Sequence, residues 1–133
     1  DALPALRRIV ETHPSVPVAL DHCAFPDFGG PGAMERLCAL ADLPSVHLKV
    51  SSHNLDTADE PAEFVDAVVG AFGASRVCWG SDHPQHQGTT YGEKLDLARL
   101  AARNLPPDDR TLFLGGTAAR LWPIPLTTTR PAN

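Results

Sequence analysis

Three short apolar segments, residues 16–20 (V-P-V-A-L), 46–51 (V-H-L-K-V-S) and 76–81 (R-V-C-W-G-S), start about 30 residues apart, the length of a strand with its crossover helix. Helical patterns separate them. Leu3, Leu6, Ile9 and Val10 form a stripe over residues 3–12 that Pro14 stops. Residues 32–41 carry Met34, Leu37, Cys38 and Leu40, and a helix opened by Pro61 carries Phe64, Val65, Val68, Val69 and Phe72 before Gly73 ends it. A further helix is predicted over 92–104, with Leu95, Leu97 and Leu100. Two short helices over 107–122 are broken at Gly115 and Gly116. Short apolar strands alternating with helices predict an α/β fold with a parallel sheet covered by helices. Residues 24–31 and the stretch after Ser51 read as loops, and the tail 124–133 is expected to be disordered.

Each strand runs into polar residues at its C-terminal end, the edge where parallel α/β folds place their sites. The first gives Asp21 and His22, the second Lys49, Ser51 and then His53, and the third Ser81, Asp82 and His83. In the second strand Val46, Leu48 and Val50 share one face and His47, Lys49 and Ser51 the other. A strand buried on both sides would be apolar throughout, so one face lines something polar. In the third strand Cys78, Gly80 and Asp82 share a face on which small residues leave room beneath the carboxylate. His22 has the parity of Val16, Val18 and Leu20, so either those apolar groups face the site or a bulge re-aims the strand end.

His and Asp are good ligands for a divalent metal, and an Asp beside a metal-bound water can take its proton. His22 and Asp82 are thus half of a hydrolytic metal site, since a catalytic zinc usually has three protein ligands. The plainer readings are a hydrogen-bonded rim histidine and an Asp-His-Pro turn. Lys49 is harder to set aside, because an unpaired buried ammonium is costly. His83 and His86 read as an exposed loop pair. Gly29, Gly30 and Gly32 lack the spacing and lysine of a phosphate loop.

Composition narrows the partners. The 133 residues allow one domain, and the net charge of −5 with scattered Lys and Arg argues against nucleic acid. No apolar run approaches the roughly 20 residues of a membrane span. No basic-then-apolar leader precedes the segments, and the absence of an initial Met is compatible with processing or a fragment. Cys23, Cys38 and Cys78 are odd in number and far apart, which points to free thiols in a reducing cytoplasm. Cys23 beside His22 is read as a packed small residue rather than a nucleophile.

Taken in order, L-D-H at 20–22 with Pro26, L-A at 40–41, L-P-S-V-H-L-K-V-S at 43–51, F-G-A-S-R-V-C-W-G-S-D-H-P at 72–84 and G-T-A-A-R-L-W at 116–122 resemble the C-terminal portion of the amidohydrolase-related family. That family includes lactonases and decarboxylases built on a (β/α)8 barrel. The resemblance implies a partial barrel of about three to four C-terminal βα units over residues 1–123. It implies hydrolysis of a C–O or C–N bond in a small carboxylated molecule, with zinc, manganese or no metal. Asp82 would be general base and ligand, His22 ligand or electrophile, and Lys49, Ser51, His53 and His83 would line the substrate pocket. His83 stands where the family usually has an aromatic residue, Ala24 where it often has Gly, and Thr117, able to cap the last helix, where it often has Asn. Non-oxidative decarboxylation on the same scaffold and a non-catalytic half-barrel are the alternatives.

The family's first strand carries a His-x-His pair, which this sequence lacks. Barrels of this kind need about 250 residues and eight strands. The N-terminal half is therefore expected to lie outside this sequence and to be the chain's main partner besides a small-molecule substrate. Alone, the open sheet edges would pair with that half, form a homo-oligomer or aggregate, and two ligands would bind divalent metal no better than about micromolar.

Overall fold

The computed structural model describes residues 3–24, 32–85 and 88–123. Helix α1 (Leu3–Thr12) leads to strand β1 (Val18–Leu20), then helix α2 (Ala33–Cys38) and strand β2 (Val46–Ser51). Helices α3 (Ser52–Thr57) and α4 (Pro61–Phe72) precede strand β3 (Val77–Gly80). Helices α5 (Tyr91–Ala101), α6 (Pro107–Thr111) and α7 (Thr117–Leu121) complete the order. The sheet is parallel throughout in the order β1-β2-β3, with Leu20 beside Leu48 and Ser51 beside Gly80.

The core lies between the sheet and its helices. Val46, Leu48 and Val50 are fully buried, as are Val65 and Val68 of α4. The opposite face of β2 holds the half-buried His47 and Lys49, so the alternation of this strand is realised. Pro61 occupies the first turn of α4 and Gly73 closes it at φ 78°, a left-handed value open to glycine. Arg76 ties the lower end of β3 to its surroundings, donating to the carbonyls of Phe72, Leu43 and Ala41.

Several expectations change. β1 begins at Val18 instead of residue 16, because Pro17 has no N–H to give a ladder; Val18 N–H makes the first bond, to Ser45 O at 2.9 Å. The stretch after β2 is helical. Ser51 caps α3 by a reciprocal box with Asn54, and this Ser-x-x-Asn pair starts a helix where a loop is expected. Ile9 and Leu100 point to solvent, and α5 instead buries Lys94, Ala98 and Ala101. Thr117 is the first residue of α7, not its cap: its buried hydroxyl donates to Ala74 O at 2.7 Å. Cys78, on the face shared with Gly80 and Asp82, is 1% exposed. The loop at 25–31, Pro26, Gly29, Gly30, His86 and the tail 124–133 lie outside the described residues.

Candidate active site

The strand ends meet at one rim. β1 stops at Leu20, and His22, Cys23 and Ala24 then adopt left-handed backbone, with φ of 50°, 52° and 63°. Three consecutive non-glycine residues in this region cost backbone strain, which persists only where surroundings hold it. Here two contacts do so: Asn54 Nδ2 donates to His22 O at 3.0 Å, and the Cys23 thiol donates to Lys49 O at 3.6 Å. The turn resolves the parity question. Leu20 is buried in the core with Val18 packed against it, and the backbone itself re-aims His22 toward the neighbouring strands.

His22 reaches both of them. Its Nδ1 lies 2.7 Å from Ser51 Oγ and its Nε2 lies 3.6 Å from an Asp82 carboxylate oxygen. Asp82 has left-handed backbone too, at φ 53°, a region Asp tolerates better than most residues. The turn that follows it is closed by Gln85 N–H donating to Asp82 O at 2.8 Å. Lys94, buried on α5, donates to Gln85 O and so anchors that turn from behind.

Lys49 lies between the two carboxylates, with Nζ 2.6 Å from Asp21 and 3.7 Å from Asp82. Partial burial pushes the Asp21 carboxyl up, but the Lys49 hydrogen bond and charge, helped by His22, outweigh it and hold the group below the ordinary carboxylate range. This pairing is the partner a half-buried ammonium needs. The His53 ring stands edge-on to His22 at 6.3 Å. Ser51, fully buried, faces His22 and Asn54.

The structure thus brings together His22, Lys49, Ser51, His53 and Asp82. His83 sits apart from them: its exposed ring lies edge-on to Tyr91, which also flanks Trp79. Two residues of the cluster were not singled out from sequence. Asp21 stands at the strand end, but its role comes from Lys49, whose Nζ lies beside it. Asn54 was signalled only by its spacing from Ser51.

Cys23 is a poor nucleophile, because burial, with Cys78 and Asp21 nearby, pushes its thiol up to about 12. Among the described residues no group of three or more His, Cys, Asp or Glu is arranged to hold a metal ion. His22 Nε2 and an Asp82 carboxylate oxygen lie 3.6 Å apart as two adjacent donors, and Asp21 is engaged by Lys49. The donor set fits half of a metal site. Among the described residues no helix is long and apolar enough to cross a membrane.

A family model described as amidohydrolase matches residues 1–124. The chain belongs to the amidohydrolase family. It is 32% identical over 136 residues to an L-fucono-1,5-lactonase of Burkholderia ambifaria, which covers 92% of this chain and 47% of that protein. Two solved structures of a Burkholderia multivorans amidohydrolase, one with HEPES and one with zinc bound, match with TM-score 0.74 at 28% identity, over 93% of this chain and 50% of theirs. A Pseudomonas putida protein described as a 2-pyrone-4,6-dicarboxylic acid hydrolase matches with TM-score 0.68 at 26% identity, over 90% of this chain and 47% of its own. The chain spans about half the length of these amidohydrolase relatives. Its three parallel strands are accordingly part of a (β/α)8 barrel.

Proposed function

We propose that this chain supplies the C-terminal half of the active site of a lactone-type ester hydrolase. The observation that carries the reading is the convergence of His22, Asp82 and Lys49 from three successive strands, with His22 Nε2 3.6 Å from Asp82 and Lys49 Nζ 3.7 Å from it. The likeness to an L-fucono-1,5-lactonase supports the choice of a cyclic ester over an amide.

In this reading Asp82 accepts the proton of the water that attacks the ester carbonyl. It later gives that proton to the ring oxygen as the C–O bond breaks, leaving a hydroxy acid. Lys49 sets the charge of the pocket floor, and its ammonium is placed to meet an anionic oxygen of substrate or product. His53, beside His22, and His83, whose exposed ring lies against Tyr91, are proposed as substrate-pocket residues. His22 Nε2 and Asp82 would hold a divalent ion such as zinc, which when bound supplies Lewis acidity and lowers the pKa of a bound water. The remaining ligands would come from the N-terminal half of the barrel, so the isolated chain is expected to be inactive.

The test is a substrate panel given to the protein with its whole barrel. Sugar and dicarboxylate lactones, an amide series and aromatic carboxylates are supplied in turn, while acid release and CO2 release are followed separately. Acid release from a lactone supports the reading. CO2 release from a carboxylate, with no lactone opened, would overturn it in favour of decarboxylation.

A further inference from the structure

We propose that Asn54 is a positioning residue that fixes His22 in its Nδ1–H tautomer and so presents the Nε2 lone pair to Asp82. The role matters for chemistry only if His22 acts in the site as proposed above, but the tautomer itself does not depend on that reading.

The orientation of the Asn54 amide is set by two backbone groups of fixed polarity. Ser51 N–H can only donate, and it meets Asn54 Oδ1 at 2.9 Å. His22 O can only accept, and it meets Asn54 Nδ2 at 3.0 Å. Flipping the amide would set a carbonyl oxygen against a carbonyl oxygen and an NH2 against an N–H. Oδ1 is therefore an acceptor facing Ser51, and it lies 3.0 Å from Ser51 Oγ as well. Oδ1 has room for two donors.

The serine hydroxyl carries one hydrogen and must choose between neighbours. If it donates to Asn54 Oδ1, its oxygen is free to accept from His22 Nδ1–H, 2.7 Å away, and both close contacts are hydrogen bonds. If it donates to a bare Nδ1 instead, the 3.0 Å approach of Oγ to Oδ1 becomes a contact between two acceptors. These atoms are buried, so water is not at hand to relieve the repulsion between the two oxygens, which is stronger in a low-dielectric interior. The first arrangement wins. The chain of donors runs His22 Nδ1–H to Ser51 O–H to Asn54 Oδ1, and a neutral His22 keeps its proton on Nδ1.

Nε2 is then the lone-pair nitrogen, and it points at Asp82 and Asp21 at 3.6 and 3.7 Å. Two carboxylates alone would draw a proton to Nε2, but their charge is partly offset by Lys49 Nζ, 2.6 Å from Asp21 and 3.7 Å from Asp82, and the buried Ser51–Asn54 pair sets the tautomer. Asn54 acts twice on the same histidine. It orients the ring through Ser51, and it holds the left-handed backbone of His22 through the carbonyl, so one side chain sets both where the ring starts and which nitrogen carries the proton. Histidine ligands are commonly oriented by a partner on the other ring nitrogen, and loss of that partner typically costs about 10- to 100-fold in affinity or activity.

The experiment is long-range 1H–15N correlation NMR of the histidine rings in the metal-free protein with its whole barrel, with the imidazoles neutral. His22 is assigned by His22→Asn. The expected wild-type result is a protonated Nδ1 and an unprotonated Nε2. Asn54→Ala should lose this single tautomer and lower kcat by about 10-fold or more with KM changed far less. Asn54→Asp keeps the acceptor for Ser51 but loses the donor to His22 O, so it should keep the tautomer while giving up the backbone hold and some stability. If Asn54→Ala does not fold, Ser51→Ala removes the hydroxyl alone and should give the same loss. A wild-type Nε2–H tautomer would overturn the proposal, and so would Asn54→Ala or Ser51→Ala with an unchanged ring spectrum. Full activity in His22→Asn with the Nδ1–H tautomer present in wild type would instead count against the functional reading and leave the tautomer assignment standing.

Discussion

Lys49 lies directly over Gly80: a Cβ built on residue 80 would stand 2.7 Å from Lys49 Cε and 3.3 Å from its Cγ and Cδ. The two residues sit on adjacent strands, where Ser51 pairs with Gly80 and Lys49 with Cys78. The missing side chain at 80 is thus the channel through which the lysine stem crosses to reach Asp21 and Asp82.

Gly80→Ala should therefore act through Lys49. The lysine tip cannot simply swing aside, because Nζ is held 2.6 Å from Asp21. Overpacking of this kind costs about 1–3 kcal/mol. Thermal unfolding should show a loss in that range, and activity should fall as it does in Lys49→Met. An alanine variant with wild-type activity would mean that Lys49 has no fixed place in the site.

Thiol chemistry should separate the cysteines. Burial holds Cys23 and Cys78 protonated, with the Cys78 thiol pushed up to about 11, while Cys38 is only partly buried. Under native conditions a disulfide reagent is expected to modify Cys38 first and the other two only on unfolding. Cys23→Ala loses the contact with Lys49 O and should lower stability, but it should not abolish turnover as loss of a nucleophile would. A large loss of turnover with the fold intact would restore the nucleophile that the structure argues against.

Acid should loosen the molecule in a defined direction. Asp21 is held below the ordinary carboxylate range by Lys49 against its own desolvation. Asp42 is lowered by Arg7, and Glu93 by its capping bonds to Thr90. Folded carboxylates with lowered pKa bind fewer protons than unfolded ones, so their contribution is present above the unfolded value of about 4 and is lost as pH falls through the folded values. Thermal midpoints should drop as pH falls below about 4, and less steeply in Lys49→Met. Added salt should weaken the effect, because these groups are largely exposed. A midpoint independent of acid pH would contradict it.

Much of the architecture was legible because its signals are local. The period of about 30 residues, Pro61 before α4 and Gly73 after it fix elements through backbone chemistry that any tertiary context keeps. The apolar faces of β2 and α4 were likewise readable from periodicity. Ile9 and Leu100 were misplaced because an apolar stripe wider than the contact it meets leaves a residue outside. The site was half legible. His22, Lys49, Ser51 and Asp82 stand out as polar residues at strand ends. The left-handed turn at 22–24 carries no glycine to announce it, and the roles of Asp21 and Asn54 arise from contacts across 28 and 32 residues that no local pattern encodes.

The most direct measurement is turnover by Asp82→Asn in the protein with its whole barrel, on whichever lactone the wild type opens, with thermal unfolding recorded alongside. Loss of the general base should lower kcat by about 100-fold or more, since a positioned acid or base contributes 10²–10⁴, while the unfolding midpoint stays close to wild type. An Asp82→Asn variant that keeps most of its turnover would contradict the assignment of Asp82, and with it the claim that the strand ends of this chain form half of a hydrolytic site.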